Sequence, residues 1–193
     1  MSKTLIVFAH PNHDSFNFSL LETVAETLRN NGHEIELNDL HAMGFDPVMT
    51  AGEIHQQSIP DEILREQAKI TWAETLVFIF PIWWWGPPAI LKGWLERVLC
   101  QDFALKYDVS LNRLVGTLQG RSAIVLTTSS ADPASFESTW QAESQTNYVR
   151  DILLMCGIQV VKLMNFCNVH SYTPADELKS CQLEVRECVK NLG

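Results

Sequence analysis

Two stretches of this chain, Thr4–Ala9 (TLIVFA) and Thr75–Phe80 (TLVFIF), run through β-branched, aliphatic and aromatic residues with no polar alternation. A strand of that composition is covered on both faces, which is the condition of a strand inside a parallel sheet. Ala123–Thr127 (AIVLT) and Gln159–Met164 give two further strands, and Glu34–Leu37, alternating charged and aliphatic residues, reads as a less buried outer one.

Helical periods lie between them. Apolar residues recur at Phe16, Leu20, Leu21, Val24, Ala25 and Leu28, and Asn31-Gly32 supplies a stop. Further helices are expected over Asp61–Ala73, from Pro87-Pro88 through Val98, over Tyr148–Met155 with Gly157 as cap, and over Asp176–Asn191. Asp39–Pro60 shows no sustained period and reads as a long surface connection. Strand and helix therefore alternate through the chain, which predicts an α/β architecture: a five-stranded parallel sheet with helices on both faces. No repeat or linker divides residues 1–193, so one domain is expected. In such sheets ligands sit beyond the carboxyl ends of the strands, here after Ala9, Phe80 and Thr127.

Composition narrows the function classes. A net charge of −9 leaves no basic stripe for a phosphate backbone, so no nucleic-acid partner is expected. The cysteines number five, with no CxxC pair, which suits free thiols in a reducing cytoplasm rather than disulfides or a metal site. No apolar run approaches the ~20 residues of a membrane helix, and the first apolar stretch is too short for a signal peptide, so a cytoplasmic, not membrane-spanning protein is expected.

Each of the three strand ends carries polar or aromatic side chains. The loop after Ala9, His10-Pro11-Asn12-His13-Asp14-Ser15-Phe16-Asn17, enters a helix whose free first-turn N–H groups suit a phosphate. It holds no glycine, which excludes the dinucleotide fingerprint and the P-loop, and Asp14 or Ser15 also serves as an ordinary helix cap. The loop after Phe80 is Pro81-Ile82-Trp83-Trp84-Trp85-Gly86-Pro87-Pro88. Adjacent side chains point in different directions, so one packed face cannot absorb all three tryptophans. They suit the edge of a flat heteroaromatic ring such as isoalloxazine, or an aromatic patch between two subunits, and both can hold. Thr127-Thr128-Ser129-Ser130 offers hydroxyls and backbone donors for a pyrimidine edge or ribityl chain, and is also an ordinary turn composition.

Taken together these segments resemble the NAD(P)H:quinone oxidoreductase family of flavodoxin-like enzymes. The most specific piece runs from Phe80-Pro81 through Pro88-Ala89-Ile90-Leu91-Lys92-Gly93-Trp94-Leu95-Glu96-Arg97-Val98, supported by Ala9-His10, Ser15-Phe16-Asn17, Asp39-Leu40 before Phe45-Asp46-Pro47, Phe103-Ala104 and Thr127-Thr128. The stretch Phe136 to Asn168 looks closer to a bacterial branch of the family. The resemblance implies a three-layer flavodoxin-like sandwich with strand order 2-1-3-4-5. It places His10, Ser15, Phe16 and Asn17 on the flavin phosphates and ribityl, Pro81, Ile82, Trp83, Trp84 and Trp85 beside the isoalloxazine, and Thr127 and Thr128 on its other edge, where the backbone N–H groups of Ser129 and Ser130 offer further donors in place of the family's glycines.

The implied cofactor is FAD, with FMN as the alternative. Hydride arrives from NADH or NADPH and leaves, in a ping-pong cycle, to a quinone-like acceptor. The resemblance further implies a homodimer with the site at the subunit interface, walled by the segment around Phe103 and Tyr107. Related proteins reduce nitro- or azo-aromatics, and others are ancillary subunits of potassium efflux systems. Well-studied family members follow the threonine pair with a loop bearing a tyrosine and a histidine; Ser129–Trp140 of this chain has neither. A one-electron flavodoxin is disfavoured by His10-Pro11-Asn12-His13, which stands where such proteins carry a Thr/Ser/Gly-rich loop.

Overall fold

The structure, a computed structural model, describes residues 1–55, 58–134 and 140–192, without the side chains of 140–146. The strands are β1 (Lys3–Phe8), β2 (Glu34–Asp39), β3 (Thr75–Pro81), β4 (Leu105–Asp108), β5 (Arg113–Gly116), β6 (Ser122–Thr128) and β7 (Gln159–Phe166). The helices are α1 (Phe16–Asn30), α2 (Ala51–Ile54), α3 (Asp61–Trp72), α4 (Ala89–Val98), α5 (Trp140–Met155) and α6 (Ala175–Lys190).

Five strands form one parallel sheet in the order β2-β1-β3-β6-β7. This is the expected 2-1-3-4-5 arrangement, renumbered because a separate antiparallel hairpin, β4–β5, stands between α4 and β6. Side chains of successive strand residues leave opposite faces, so two cores result. Leu5, Val7, Leu76, Phe78 and Val125 pack against Ile63, Ile70, Leu91, Trp94 and Leu153 of α3, α4 and α5. Ile6, Phe8, Val77, Ile79 and Leu126 pack against Leu20, Val24, Leu28, Val185 and Val189 of α1 and α6. The layers are helix, sheet, helix.

Local signals explain most boundaries. The Ser15 hydroxyl accepts the Phe18 N–H and caps α1, and at the other end Gly32, at φ 80°, lets the His33 N–H reach the Leu28 carbonyl at 3.0 Å. Three elements differ from expectation. The hairpin carries exposed, weakly alternating residues and no short turn dipeptide to mark it. Helix α5 begins before Tyr148, at Trp140. And the long connection contains α2, one turn closed by a capping box in which Thr50 and Glu53 satisfy each other's backbone N–H groups.

That connection is bolted to α4. Arg97, nearly fully buried, bonds Glu53 at 2.7 Å and Glu62 at 2.8 Å, donates to the Asp46 carbonyl, and lies over the Phe45 ring. Gly93 allows close approach: a Cβ there would run into the backbone and ring of Pro47. Trp94 donates its indole N–H to buried Glu66 at 2.8 Å. So Gly93, Trp94 and Arg97, three residues of the most recognisable motif, act in packing.

Replacing Gly93 with alanine is expected to lower stability by about 1–3 kcal/mol, since the clash is with backbone that cannot yield, and thermal unfolding measures it. Burial pushes the Glu53 carboxyl up, but hydrogen bonds from Arg97 and Thr50 outweigh that and hold it below its usual 4.5. A carboxylate depressed on folding contributes stability fully above its unfolded value, lost as pH falls through the lower folded value. Melting temperature should therefore fall below pH 4.5 more steeply in the wild type than in Glu53→Gln.

Candidate functional site

Because β1, β3 and β6 run parallel side by side, their carboxyl ends deliver three loops to one edge of the sheet. A cavity of about 550 Å³ lies there. Of the residues singled out in the sequence, His10, Ser15, Phe16, Asn17, Pro81, Ile82, Trp83, Thr128, Ser129 and Ser130 line it together.

The loop after β1 is shaped from within. Asn12 accepts the Asp14 N–H at 2.8 Å through its side chain and the Ser15 N–H at 3.3 Å through its carbonyl, which turns the chain into α1. Past the Ser15 cap, the backbone N–H groups of Phe16 and Asn17 have no partner among the described residues, as the first turn of a helix requires. His10 Nδ1 lies 3.0 Å from both the N–H and the carbonyl oxygen of Asn12. Burial pushes the His10 ring below its usual value, with the nearby His41 and His13 adding to the shift and a bond to the Asn12 backbone opposing it. Either tautomer satisfies Nδ1 on the Asn12 backbone, and Nε2 is the ring nitrogen left for a bound molecule.

Asn17 joins two of the loops. Its side chain is almost fully buried, and Nδ2 donates to Thr128 Oγ1 at 2.8 Å, tying the first turn of α1 to the end of β6. Its Oδ1 is buried with no hydrogen-bond partner. A buried acceptor left unsatisfied costs about 1–3 kcal/mol, so a hydroxyl or N–H from a bound molecule is its natural complement.

The turn after β3 is strained. Trp83 and Gly86 exchange backbone hydrogen bonds at 2.9 and 3.2 Å, and the two residues between them, Trp84 and Trp85, adopt φ of 47° and 61°. This left-handed pair is the geometry that Asn-Gly normally occupies. Trp83 faces the cavity, its ring 5.9 Å from His10. Trp84 and Trp85 do not line it: they contact each other edge-on, and Trp84 is 90% exposed.

Alternation along β6 separates the threonines. Thr128 turns toward α1, whereas Thr127 is fully buried and bonds Asn165 of β7 at 2.8 Å, away from the cavity. Ile82 and Ser129 continue the ladder, donating to the Thr128 and Phe166 carbonyls. Val169 and Asn168 then donate to the Ser129 and Ala131 carbonyls, which draws in a fourth loop that the sequence did not mark. It brings Val169, His170, Ser171 and Thr173 to the cavity, with Leu178 of α6 behind them. The signal was present as a strand-end loop with polar residues, but β7 stands at the sheet edge, beyond the strands where the crevice was expected. The segment Ser135–Thr139, within the stretch that lacks the family's tyrosine and histidine, lies outside the described residues.

The arrangement suits an elongated ligand with an anionic centre: helix N–H groups and His10 for the anion, buried Asn17 Oδ1 for a hydroxyl, an indole edge for a flat ring. Among the described residues no cluster of histidine, cysteine or acidic side chains is set to hold a metal, and no helix is long and apolar enough to cross a membrane.

Residues 2–189 match the sequence family described as having a flavodoxin-like fold. NAD(P)H dehydrogenase (quinone) 1 of Rattus norvegicus is 30% identical, the match covering 90% of this chain and 71% of that one. Among solved structures, Smu.1420 from Streptococcus mutans UA159 is 32% identical with a TM-score of 0.84, over 98% of this chain and 100% of that one. The NAD(P)H:quinone oxidoreductase from Methanothermobacter marburgensis is 27% identical with a TM-score of 0.89, over 100% and 99%.

The strained turn gives a direct test. Replacing Trp84-Trp85 with Asn-Gly should relieve left-handed strain and raise the stability of the ligand-free protein by roughly 1–2 kcal/mol, read by denaturant titration.

Proposed function

The chain belongs to the flavodoxin-like NAD(P)H:quinone oxidoreductase family, and from that footing we propose that it is a flavin-dependent NAD(P)H dehydrogenase (quinone) whose flavin lies in the cavity at the ends of β1, β3 and β6. Asn17 carries the proposal. It lines a cavity already supplied with anion donors, and its buried Oδ1 has no partner, which a hydroxyl of a ribityl phosphate would supply.

In this reading the Phe16 and Asn17 N–H groups and the His10 ring hold the phosphates, with the positive end of the α1 dipole behind them. Asn17 and Thr128 take the ribityl hydroxyls. Pro81, Ile82 and Trp83 wall one edge of the ring system, and Ser129 and Ser130 supply donors to the other. A flavin held by these residues would supply the two-electron hydride chemistry between a reduced nicotinamide and a quinone. The protein's part is to hold the ring, aim its own donors at the edge that gains negative charge, and exclude water along the Ile82–Trp83 wall.

FAD is favoured over FMN on the family resemblance, and the cavity's lining extends past the first turn of α1 to His170, Ser171, Thr173 and Leu178. A homodimer completes the reading. Trp84, Trp85, Tyr107, Val109 and Leu114 leave large apolar surfaces on the turn and on the β4–β5 hairpin, which a second copy would cover. All five cysteines are free thiols, which suits the cytoplasm.

The purified protein is expected to be yellow, to release FAD on denaturation, to oxidise NADH or NADPH with menadione present, and to elute as a dimer. Asn17→Ala, which strands the Thr128 hydroxyl as well, should weaken flavin affinity by about tenfold or more. A colourless protein that takes up neither FAD nor FMN would overturn the proposal.

A further inference from the structure

From Asn12 to Asn17 every residue lines the cavity except His13. The His13 side chain turns to the end of β2, where Nε2 lies 2.7 Å from Asp39 Oδ2. Its ring stacks on Phe18 of α1, with centroids 4.5 Å apart and planes 20° from parallel, and lies against Phe8 of β1. Asp39 is largely buried, and its other oxygen accepts the Ala42 N–H at 3.1 Å, so the carboxylate cannot rotate to follow a moving histidine.

The remaining side-chain bonds of this loop are internal. His10 and the Asp14 N–H both turn to Asn12, and Ser15 caps the helix that follows. Among the described residues, the His13–Asp39 pair is thus the hydrogen bond that ties a side chain of residues 10–15 to the sheet. We propose that His13 and Asp39 are positioning residues for the cofactor: their bond, backed by the Phe18 stack, fixes the loop whose other residues form the anion cradle.

Neither residue needs to touch the ligand. Cutting the tie leaves Asn12, Asp14 and Ser15 in place in the sequence but frees the turn that aims the Phe16 and Asn17 N–H groups and the His10 ring. Such a loss appears in affinity, because a loop that must be ordered on binding subtracts its ordering cost from the interaction. Half of the His13 surface is exposed, so the pair's own contribution to folding is small and the two effects separate.

The inference rests on the flavin reading above. FAD binding to the apoprotein is to be followed by quenching of FAD fluorescence, beside apoprotein melting, for wild type, His13→Ala, Asp39→Asn, the double variant and His13→Arg. Each single change is expected to raise the FAD Kd about tenfold, with the double variant no worse than either, because both remove one tie. Arginine can pair with the same carboxylate and should bring Kd back to within about threefold of wild type. A Kd unchanged in His13→Ala, single effects that multiply in the double variant, or an arginine that restores nothing each overturn the proposal, even if melting falls. A wild type that binds neither FAD nor FMN overturns the flavin reading itself, and this inference with it.

Discussion

Every residue of β3 is buried, from Thr75 to Pro81. A strand enclosed on both faces and both edges leaves its backbone polar groups no partner but neighbouring strands, and β1 and β6 supply them on either side. Polarity is then excluded from the middle of the sheet and collects where the strands stop. The cavity follows from this. Loops leaving β1, β3 and β6 emerge at one height because the registers are aligned, Phe8 beside Ile79 and Phe80 beside Thr127. The donors on those loops face one another without any long-range device to bring them together.

The central strands were legible because full burial leaves an unmistakable apolar run, and strand order followed from the resemblance they supported. What escaped was written in weaker marks. The β4–β5 hairpin is largely solvent-exposed, so hydrophobic patterning has little hold on it. Helix α2 lasts one turn, too short for periodicity, although its capping box at Thr50 and Glu53 was there to be read. In the cavity, residues at strand ends were located by topology alone, which cannot tell which of two adjacent threonines points inward. Thr128 does and Thr127 does not, and one residue of alternation decides it. Trp84 and Trp85 escaped for a different reason: a two-residue turn with both φ values positive throws its central side chains outward, and nothing in a row of three tryptophans announces that turn.

Some of the strain and unsatisfied polarity meets on this rim, although His41 Nε2 is also buried without a partner and Asp102, Asn112 and Asn168 also hold positive φ. Left-handed Trp84 and Trp85, the orphaned Asn17 Oδ1 and the open N–H groups of α1 all lie within or beside one cavity, whereas Arg97, Glu53, Glu66 and Trp94 on the other face of the sheet are bonded throughout. Local conflict of this kind persists only where the surrounding structure over-determines it. The Arg97 bolt and the doubly covered β3 provide that rigidity.

This division changes how the most recognisable motif is understood. From Phe80 to Val98 it reads as one continuous signature, yet it divides at Pro88. The part before Pro88 lines or rims the cavity, with Pro81, Ile82 and Trp83 on the wall and Trp84 and Trp85 projecting from it. The part after it is α4, whose Gly93, Trp94 and Arg97 hold Pro47, Glu66 and Glu53. A chain that kept only the second half would retain the fold and lose the ring wall. A chain that kept only the first would retain the tryptophans on a turn with nothing rigid behind it. The motif is informative about chemistry because both halves occur together, the helix supplying stiffness that the strained turn lacks.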